Sequence, residues 1–219
     1  MIATDNLLIF YTNFNTPLPV DKWQDYALQL PTVLQQKLLR FKRWQDQHAF
    51  LLGKLLTQQA LCSVGYPADS LYRLQYNEYN RPFLDHAVDF NISHAGEYVV
   101  CAITTQGRVG IDIELIKPIN LDDFYHYLSQ QEWQAVVSSP TSLEIFYNYW
   151  TIKESVIKAD GRGLSIPLLD IQLIERDRVR LYEKNWFVNR FAIDSRYVCH
   201  CATNWPLSHW QIKKIDFVH

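Results

Sequence analysis

No stretch of this sequence reaches the run of about 20 apolar residues that spans a bilayer. The opening residues, MIATDNLLIFYTNF, lack a basic segment ahead of an apolar one. Neither a membrane span nor a secretory leader is expected, and the chain reads as a soluble cytoplasmic protein. An excess of either charge is lacking as well: a net charge of -2 and a pI of about 6.4 exclude a protein that coats a polyanion, so any basic site must be local. Cysteine is sparse, at Cys62, Cys101, Cys199 and Cys201, with no CxxC pair. Cys199-His200-Cys201 lacks the second ligand pair that a zinc site requires at its usual spacing. Val198, Cys199 and Cys201 read instead as small apolar residues on a buried strand.

With 219 residues, 48% of them hydrophobic and 14% aromatic, the chain can bury roughly 70% of its unfolded surface. One large domain or two small ones fit that length. The organising stretch is LEIFYNYWTIKESVIKADGRG, residues 143–163. At about 100° per residue, Leu143, Phe146, Tyr147, Trp150 and Ile157 form one apolar stripe, and Ile145, Tyr149, Ile152 and Val156 form another roughly opposite. A helix with two apolar faces is expected to be sandwiched inside a fold. Glu154 falls inside the first stripe, where a carboxylate needs a cation. A buried ion pair with Lys158, one turn on, would supply it, and so would a bound metal. The loop after the helix, with Lys158, Arg162, Gly161 and Gly163, is positive and exposes its backbone, as a phosphate-binding loop does.

Along the chain, Leu7 to Phe10 reads as an opening strand and NFNTPLP as a turn. Helices are expected from Pro31 to Arg43 and from Gln47 to Cys62, each with one apolar side. Lys37, Arg40, Lys42 and Arg43 crowd the end of the first, a run that solvated helix ends often carry. YNEYNRPFL, residues 76–84, reads as a turn, and FNISHAGEYVVCAIT as strand, turn, strand. VGIDIEL then alternates strictly. Ile111, Ile113 and Leu115 face one way, while Asp112 and Glu114 face the other with Cα atoms about 6.5–7 Å apart. Farther on, Ser129 and Glu132 form a capping box that opens a short helix through Val137. Leu121, Phe124, Tyr125 and Leu128 before it have helical spacing and read as core or as a docking platform.

Two carboxylates on one strand face repel unless a cation sits between them. Asp112, Glu114 and Glu154 offer hard oxygen ligands and no soft ones, which suits Mg²⁺ or Mn²⁺. Lys158, Arg162 and His94 are then candidates to grip phosphate groups whose other oxygens meet the metal. The residues by themselves lead to magnesium-dependent chemistry on a phosphate ester or anhydride.

NISHAG (91–96), GIDIE (110–114) and WTIKESVIKADGRGLSIPL (150–168) resemble, in order and separation, the three signature blocks of the surfactin-type 4'-phosphopantetheinyl transferases. Weaker similarity through RFKRWQDQHAFLLGKLL (40–56) and NEYNRPFL (77–84) extends the match over about residues 31–170. The resemblance implies transfer of the phosphopantetheine arm of coenzyme A to a serine on an apo acyl or peptidyl carrier protein, with release of 3',5'-ADP. It implies metal ligation by Asp112, Glu114 and Glu154. It also implies coenzyme A contacts from Lys153, Lys158, Ser93 and His94, with an adenine-side turn at Arg81 and Pro82. Glu154 and Lys158 become the catalytic candidates, Glu154 taking the serine proton directly or through water. Members often carry an arginine where this chain has Ala49, and a lysine where it has Leu34. The grip on the 3'-phosphate is then left to Lys37, Arg40, Arg43 and Lys54, with Lys37 first because it matches a family lysine.

The fold implied is α+β, with two similar α/β halves, 1–109 and 110–219, related by a pseudo-twofold. Coenzyme A and the active site would lie at the seam. Tyr98, Val99 and Thr104 recur as Tyr197, Val198 and Thr203 at an offset of 99, a faint echo of such a repeat. A monomer serving fatty acid, polyketide or peptide synthesis is expected, without nucleic acid or membrane. In this family the segment around 121–128 helps receive the carrier protein. Two other classes stay open at this point: a non-catalytic module binding carrier proteins or coenzyme A, and a different magnesium enzyme such as a nuclease or pyrophosphatase. The carboxylate trio argues against the first, and the lack of a broad basic surface against nucleic acid as substrate of the second.

Overall fold

The computed structural model describes residues 7–217. Its elements are, in chain order, β1 (Leu7–Asn13), α1 (Val20–Leu28), α2 (Thr32–Leu38), α3 (Trp44–Ser63), β2 (Gln75–Tyr76), β3 (Pro82–Phe83), β4 (Asp89–Ala95), β5 (Tyr98–Thr104), β6 (Val109–Leu115), α4 (Gln130–Val137), α5 (Ser142–Asp160), β7 (Ile171–Glu175), β8 (Arg178–Leu181), β9 (Lys184–Arg190), β10 (Tyr197–Thr203) and β11 (Trp210–Lys214). The class is α+β. By contacts the chain divides into Met1–Gln106 together with Ser208–His219, and Gly107–Leu207. This differs from a cut at 109/110. The break falls at the Gln106-Gly107 turn, and the last dozen residues return to the first unit. The cause of the return is β11, which pairs parallel with β1 from Leu7↔Trp210 to Tyr11↔Lys214. Residues 1–6 and 218–219 lie outside the described part of that unit.

In the first unit the strand order is β11-β1-β5-β4. α3 lies on β5, β1 and β4 and buries Leu51, Leu52, Leu55 and Leu56 against Phe90, Val99, Cys101 and Ile103. The expected helix over 31–43 is shorter. It ends at Leu38 because the next amides turn back tightly, Arg40 N–H donating to Lys37 O and Phe41 N–H to Leu38 O. Arg40, Lys42 and Arg43 therefore sit in the connection and not on a helix face. YNEYNRPFL is a small hairpin, β2 with β3, whose turn places Asn80 at φ 61°, a conformation that asparagine tolerates.

The second unit has the order β6-β10-β9-β8-β7, with α5 across β6 and β10. Gly110 explains how closely strand and helix approach, since a Cβ there would run into the backbone of Ser155 and Ala159. The apolar residues of α5 sort by position along the helix and not by stripe, since each cluster draws on both stripes. Phe146 and Tyr147 pack with Leu128, Val136 and Val198, and one turn on Ile152, Val156 and Ile157 pack with Ile171, Val188 and Ala202. The capping box is present, Ser129 Oγ accepting from Glu132 N–H at 3.3 Å and Glu132 Oε2 from Ser129 N–H at 2.7 Å. β10 is buried along its whole length. Burial pushes the Cys199 and Cys201 thiols up and the His200 imidazole down to about 3, so these three are inert framework. No helix among the described residues is long and apolar enough to cross a membrane.

Candidate functional site

Strand β6 and helix α5 bring one group of expected residues together in the second unit. Lys158 Nζ donates to Asp112 Oδ1 at 2.6 Å, with the Asp112 side chain 5% exposed. Glu154 lies one turn before Lys158 on α5, and Glu114 two residues after Asp112 on β6. The electrostatics couple all four. Burial, then the charge of Asp112, pushes the Glu114 carboxyl up to about 7, with Lys158 opposing. Burial and Asp112 also raise Glu154, again against Lys158. Of the two readings of Glu154, the ion pair with Lys158 takes another form here, since the lysine is bonded to Asp112.

Among the described residues no three His, Cys, Asp or Glu side chains are arranged to hold a metal ion. The donor set itself is hard, like-charged and partly withheld from water, with one ammonium set among the carboxylates. Such a set fits a hard divalent cation in its chemistry.

Two neighbours expected at the phosphates are occupied elsewhere. Lys153, 1% exposed, points to the other side of α5. It pairs with Glu132 Oε2 at 3.0 Å and donates to the carbonyls of Leu168 at 3.0 Å and Ile171 at 3.2 Å. Its role is to tie α5 to the capped start of α4 and to the entry of β7. Arg162 donates to both Asp160 oxygens, at 2.5 and 3.1 Å, and lies over the Tyr182 ring at 5.0 Å. Gly161 and Gly163 have φ of 93° and 62°, so the loop takes the left-handed turns that glycine permits.

The remaining candidates belong to the first unit. A cavity of about 340 Å³ is lined by Lys37, Asp46, Phe50, Lys54, Pro82 and His94, among others. His94 is exposed on β4, while Ser93 before it is buried. Arg40 and Arg43 are exposed and do not line the cavity. Arg81 is 7% exposed and forms a fork-to-fork pair with Asp89 at 2.8 and 2.9 Å. It fixes the hairpin and leaves Pro82 as the wall of the cavity. Sequence reasoning missed the carboxylates that claim these cations. Asp160 stands close enough to Arg162 to have been suspected, but Glu132 is 21 residues from Lys153 and meets it only through the packing of α4 on α5.

Family models extend these local likenesses over nearly the whole chain. The "4'-phosphopantetheinyl transferase superfamily" model matches residues 108–208, and the "4'-phosphopantetheinyl transferase, N-terminal" model matches 17–106. The chain is 34% identical over 212 residues to the 4'-phosphopantetheinyl transferase Sfp of Bacillus subtilis, covering 90% of this chain and 94% of that one. To the 4'-phosphopantetheinyl transferase gsp of Aneurinibacillus migulanus it is 39% identical over 137 residues, 61% of this chain and 57% of gsp, so that match spans little more than half of the relative. To the mouse L-aminoadipate-semialdehyde dehydrogenase-phosphopantetheinyl transferase it is 27% identical over 205 residues, 78% and 66% of the two chains. With the acidic cluster of β6 and α5 inside one matched region and the lysine-lined cavity inside the other, and with Sfp aligned almost end to end, the chain belongs to the 4'-phosphopantetheinyl transferase superfamily.

Proposed function

We propose that this protein transfers the 4'-phosphopantetheine arm of coenzyme A to a serine of an apo acyl or peptidyl carrier protein, releasing 3',5'-ADP. The observation that carries the reading is the group on β6 and α5, where Asp112 pairs with Lys158 and the carboxyls of Glu114 and Glu154 both feel the charges of that pair. Asp112, Glu114 and Glu154 would hold Mg²⁺, or Mn²⁺ in its place. When bound, such an ion neutralises charge on a pyrophosphate. Lys158 would leave Asp112 and turn to a phosphate oxygen, a charge-assisted contact that strengthens as negative charge shifts toward the leaving group. Phosphoryl transfer asks little covalent work of a protein, so positioning and charge are the main contributions. Glu154 would accept the serine proton, directly or through water.

His94, Pro82 and Lys37 are proposed as coenzyme A contacts on the first unit, with Ser93 supporting them. Arg81, Lys153 and Arg162 serve through the framework they hold, since each is committed to a carboxylate. The 3₁₀ helix Leu121–Tyr127, on which Tyr125 is 47% exposed, is proposed to receive the carrier protein. The kinship of the two halves, expected as a pseudo-twofold, is retained as a proposal. It rests on each unit taken by itself. One long helix, α3 or α5, lies on a mainly antiparallel sheet whose strand β5 or β10 carries the Tyr-Val and Thr echo.

Incubation with coenzyme A, Mg²⁺ and an apo carrier protein, followed by chromatography of the nucleotides, tests the reading. Release of 3',5'-ADP only when the carrier is present is expected. Binding of coenzyme A without release would indicate a non-catalytic module, and release without carrier a hydrolase.

A further inference from the structure

The face of β6 that meets α5 begins one position before the strand. Alternate residues of a strand share a face, so Arg108, Gly110, Asp112 and Glu114 follow one another along one side. Three of them meet α5 in turn. Gly110 lies against the backbone of Ser155 and Ala159, Asp112 takes the Lys158 ammonium at 2.6 Å, and Arg108 reaches the end of the helix. Its Nε donates to Ala159 O at 3.1 Å and its Nη2 to Asp160 O at 3.2 Å. The last carbonyls of a helix have no partner within it. Here Ile157 O accepts from Gly161 N–H at 2.9 Å, while one planar guanidinium serves the carbonyls of both Ala159 and Asp160, and its charge suits the negative end of the helix. Arg108 is held in its turn, its backbone N–H donating to Asn204 Oδ1 at 2.7 Å just past β10. The Asp160 carboxylate, 2% exposed, pairs with Arg162. The last turn of α5, which carries Lys158, is thus fixed through the carbonyls and the side chain of its final residue, all within the second unit.

We propose that Arg108 is a positioning residue for the transfer: by fixing the last turn of α5 it places the Lys158 ammonium where it meets a phosphate oxygen. This rests on the reading of the protein as a coenzyme A-dependent transferase in which Lys158 makes that contact. A lysine is a point charge on a flexible stem, so where it acts is decided by where its backbone stands. The turn must keep its place while the ammonium changes partner from Asp112 to phosphate, and Arg108 secures the turn from its backbone side. A misplacement of about 1 Å can cost about 100-fold in rate, so a loosened turn is enough to be read in kinetics.

The test is a double-mutant cycle between Arg108→Met and Lys158→Ala, read as calorimetric affinity for coenzyme A with Mg²⁺ and as kcat and KM with an apo carrier protein. Arg108→Met alone should weaken coenzyme A and lower kcat by about 10-fold each, with the KM for carrier within about 2-fold. In the Lys158→Ala background the same substitution should cost less than about 2-fold in affinity, because the group it positions is gone. Losses that multiply would make Arg108 a residue acting apart from Lys158, and unchanged affinity and kcat in folded Arg108→Met would leave it without a part in transfer; either result overturns the proposal. Arg108→Lys keeps a charge at the helix end but has no fork to hold two carbonyls. It should melt near the wild-type Tm and still lose at least about 3-fold in kcat. Full recovery of kcat would reduce Arg108 to a helix-end charge and would also overturn the proposal. Should Arg108→Met not fold, Arg108→Lys takes its place in the cycle. Hydrogen exchange reads the turn without substrate: the amides of residues 158–161 should exchange at least about 10-fold faster in the variant, and those of 146–154 at the wild-type rate. Equal loss of protection along all of α5 would mark a general loss of stability and count against positioning. If the wild type neither binds coenzyme A nor modifies a carrier, the transferase reading fails, and exchange alone decides whether Arg108 holds the turn. If the wild type transfers and the losses multiply, positioning fails and the transferase reading stands.

Discussion

With 1% of its side chain exposed, Lys153 has its pKa lowered by burial, and Glu132 Oε2 and the carbonyls of Leu168 and Ile171 oppose that by holding its ammonium. Removing one partner of such a pair leaves the other buried and unanswered, at a cost of about 3–5 kcal/mol. Lys153→Met should therefore lose that much stability in denaturant unfolding. Lys153→Met combined with Glu132→Gln should lose markedly less, and the KM for coenzyme A should stay within about 2-fold in whatever fraction remains folded. A large rise in that KM would return Lys153 to the coenzyme A contacts. Glu114 behaves oppositely with respect to pH. Its carboxyl is raised from 4.5 to about 7 in the fold, so between those values the folded state binds more protons than the unfolded chain. Stability from this group is present at low pH and is lost as pH rises from about 4.5 through 7. Without divalent metal, Glu114→Gln should match the wild-type Tm near pH 4.5 and exceed it by several degrees at pH 8, as read in thermal melts across pH. A wild type that gains on the variant as pH rises would contradict this.

Strand β6 and helix α5 carry the acidic cluster, and Gly110 sets their distance. Gly110→Ala would push a methyl group into the backbone of Ser155 and Ala159, at a cost of about 1–3 kcal/mol. A shift between these two elements also separates Asp112 from Lys158, so transfer should fall by more than the loss of folded protein accounts for. Kinetics at a temperature where circular dichroism reports full folding will check this. The aromatic turn before α4 divides within two residues. Phe124 packs on Phe146 and Trp150, with ring centres 5.0 and 5.5 Å away, whereas Tyr125 is 47% exposed and meets Trp133 edge-on. Phe124→Ala should lower Tm by several degrees. Tyr125→Ala should leave Tm nearly unchanged and raise the KM for carrier protein several-fold; an unchanged KM would remove this turn from the docking surface. What the sequence disclosed at this scale was local. The strict alternation of VGIDIEL and the Ser129/Glu132 box each announce their element, because strand faces and helix caps are decided within a few residues. α1 has a one-sided pattern, Trp23, Tyr26 and Ala27 packing on the core of the first unit, but its nine residues are too short a window for that period to stand out beside the turn-rich NFNTPLP. The early end of α2 depends on a backbone turn that the basic run conceals.

The whole chain is two units, each with a long helix on its own sheet. Their extents were only partly legible. The pairing of β11 with β1 joins residues some 200 positions apart, and nothing in the local pattern of WQIKK foretells a parallel partner at the other end of the chain. The nearness of β6's carboxylates to α5 was legible because carboxylates on an apolar strand face and in an apolar helix stripe break the expected pattern. The partners of Arg81, Lys153 and Arg162 were not, because a pairing breaks no pattern. The net charge of -2 gives the molecule little long-range field, so recognition of the proposed carrier protein would fall to local charges and apolar contact. The central claim is that the carboxylates of β6 and α5 serve transfer of an arm from coenzyme A to a carrier serine. The most direct measurement is the intact mass of an apo carrier protein after incubation with coenzyme A and Mg²⁺, using the wild type and Asp112→Ala matched for folding by circular dichroism. The account predicts that the carrier gains one phosphopantetheine with the wild type and stays apo with Asp112→Ala. An unmodified carrier with the wild type, or near wild-type modification by Asp112→Ala, would contradict it.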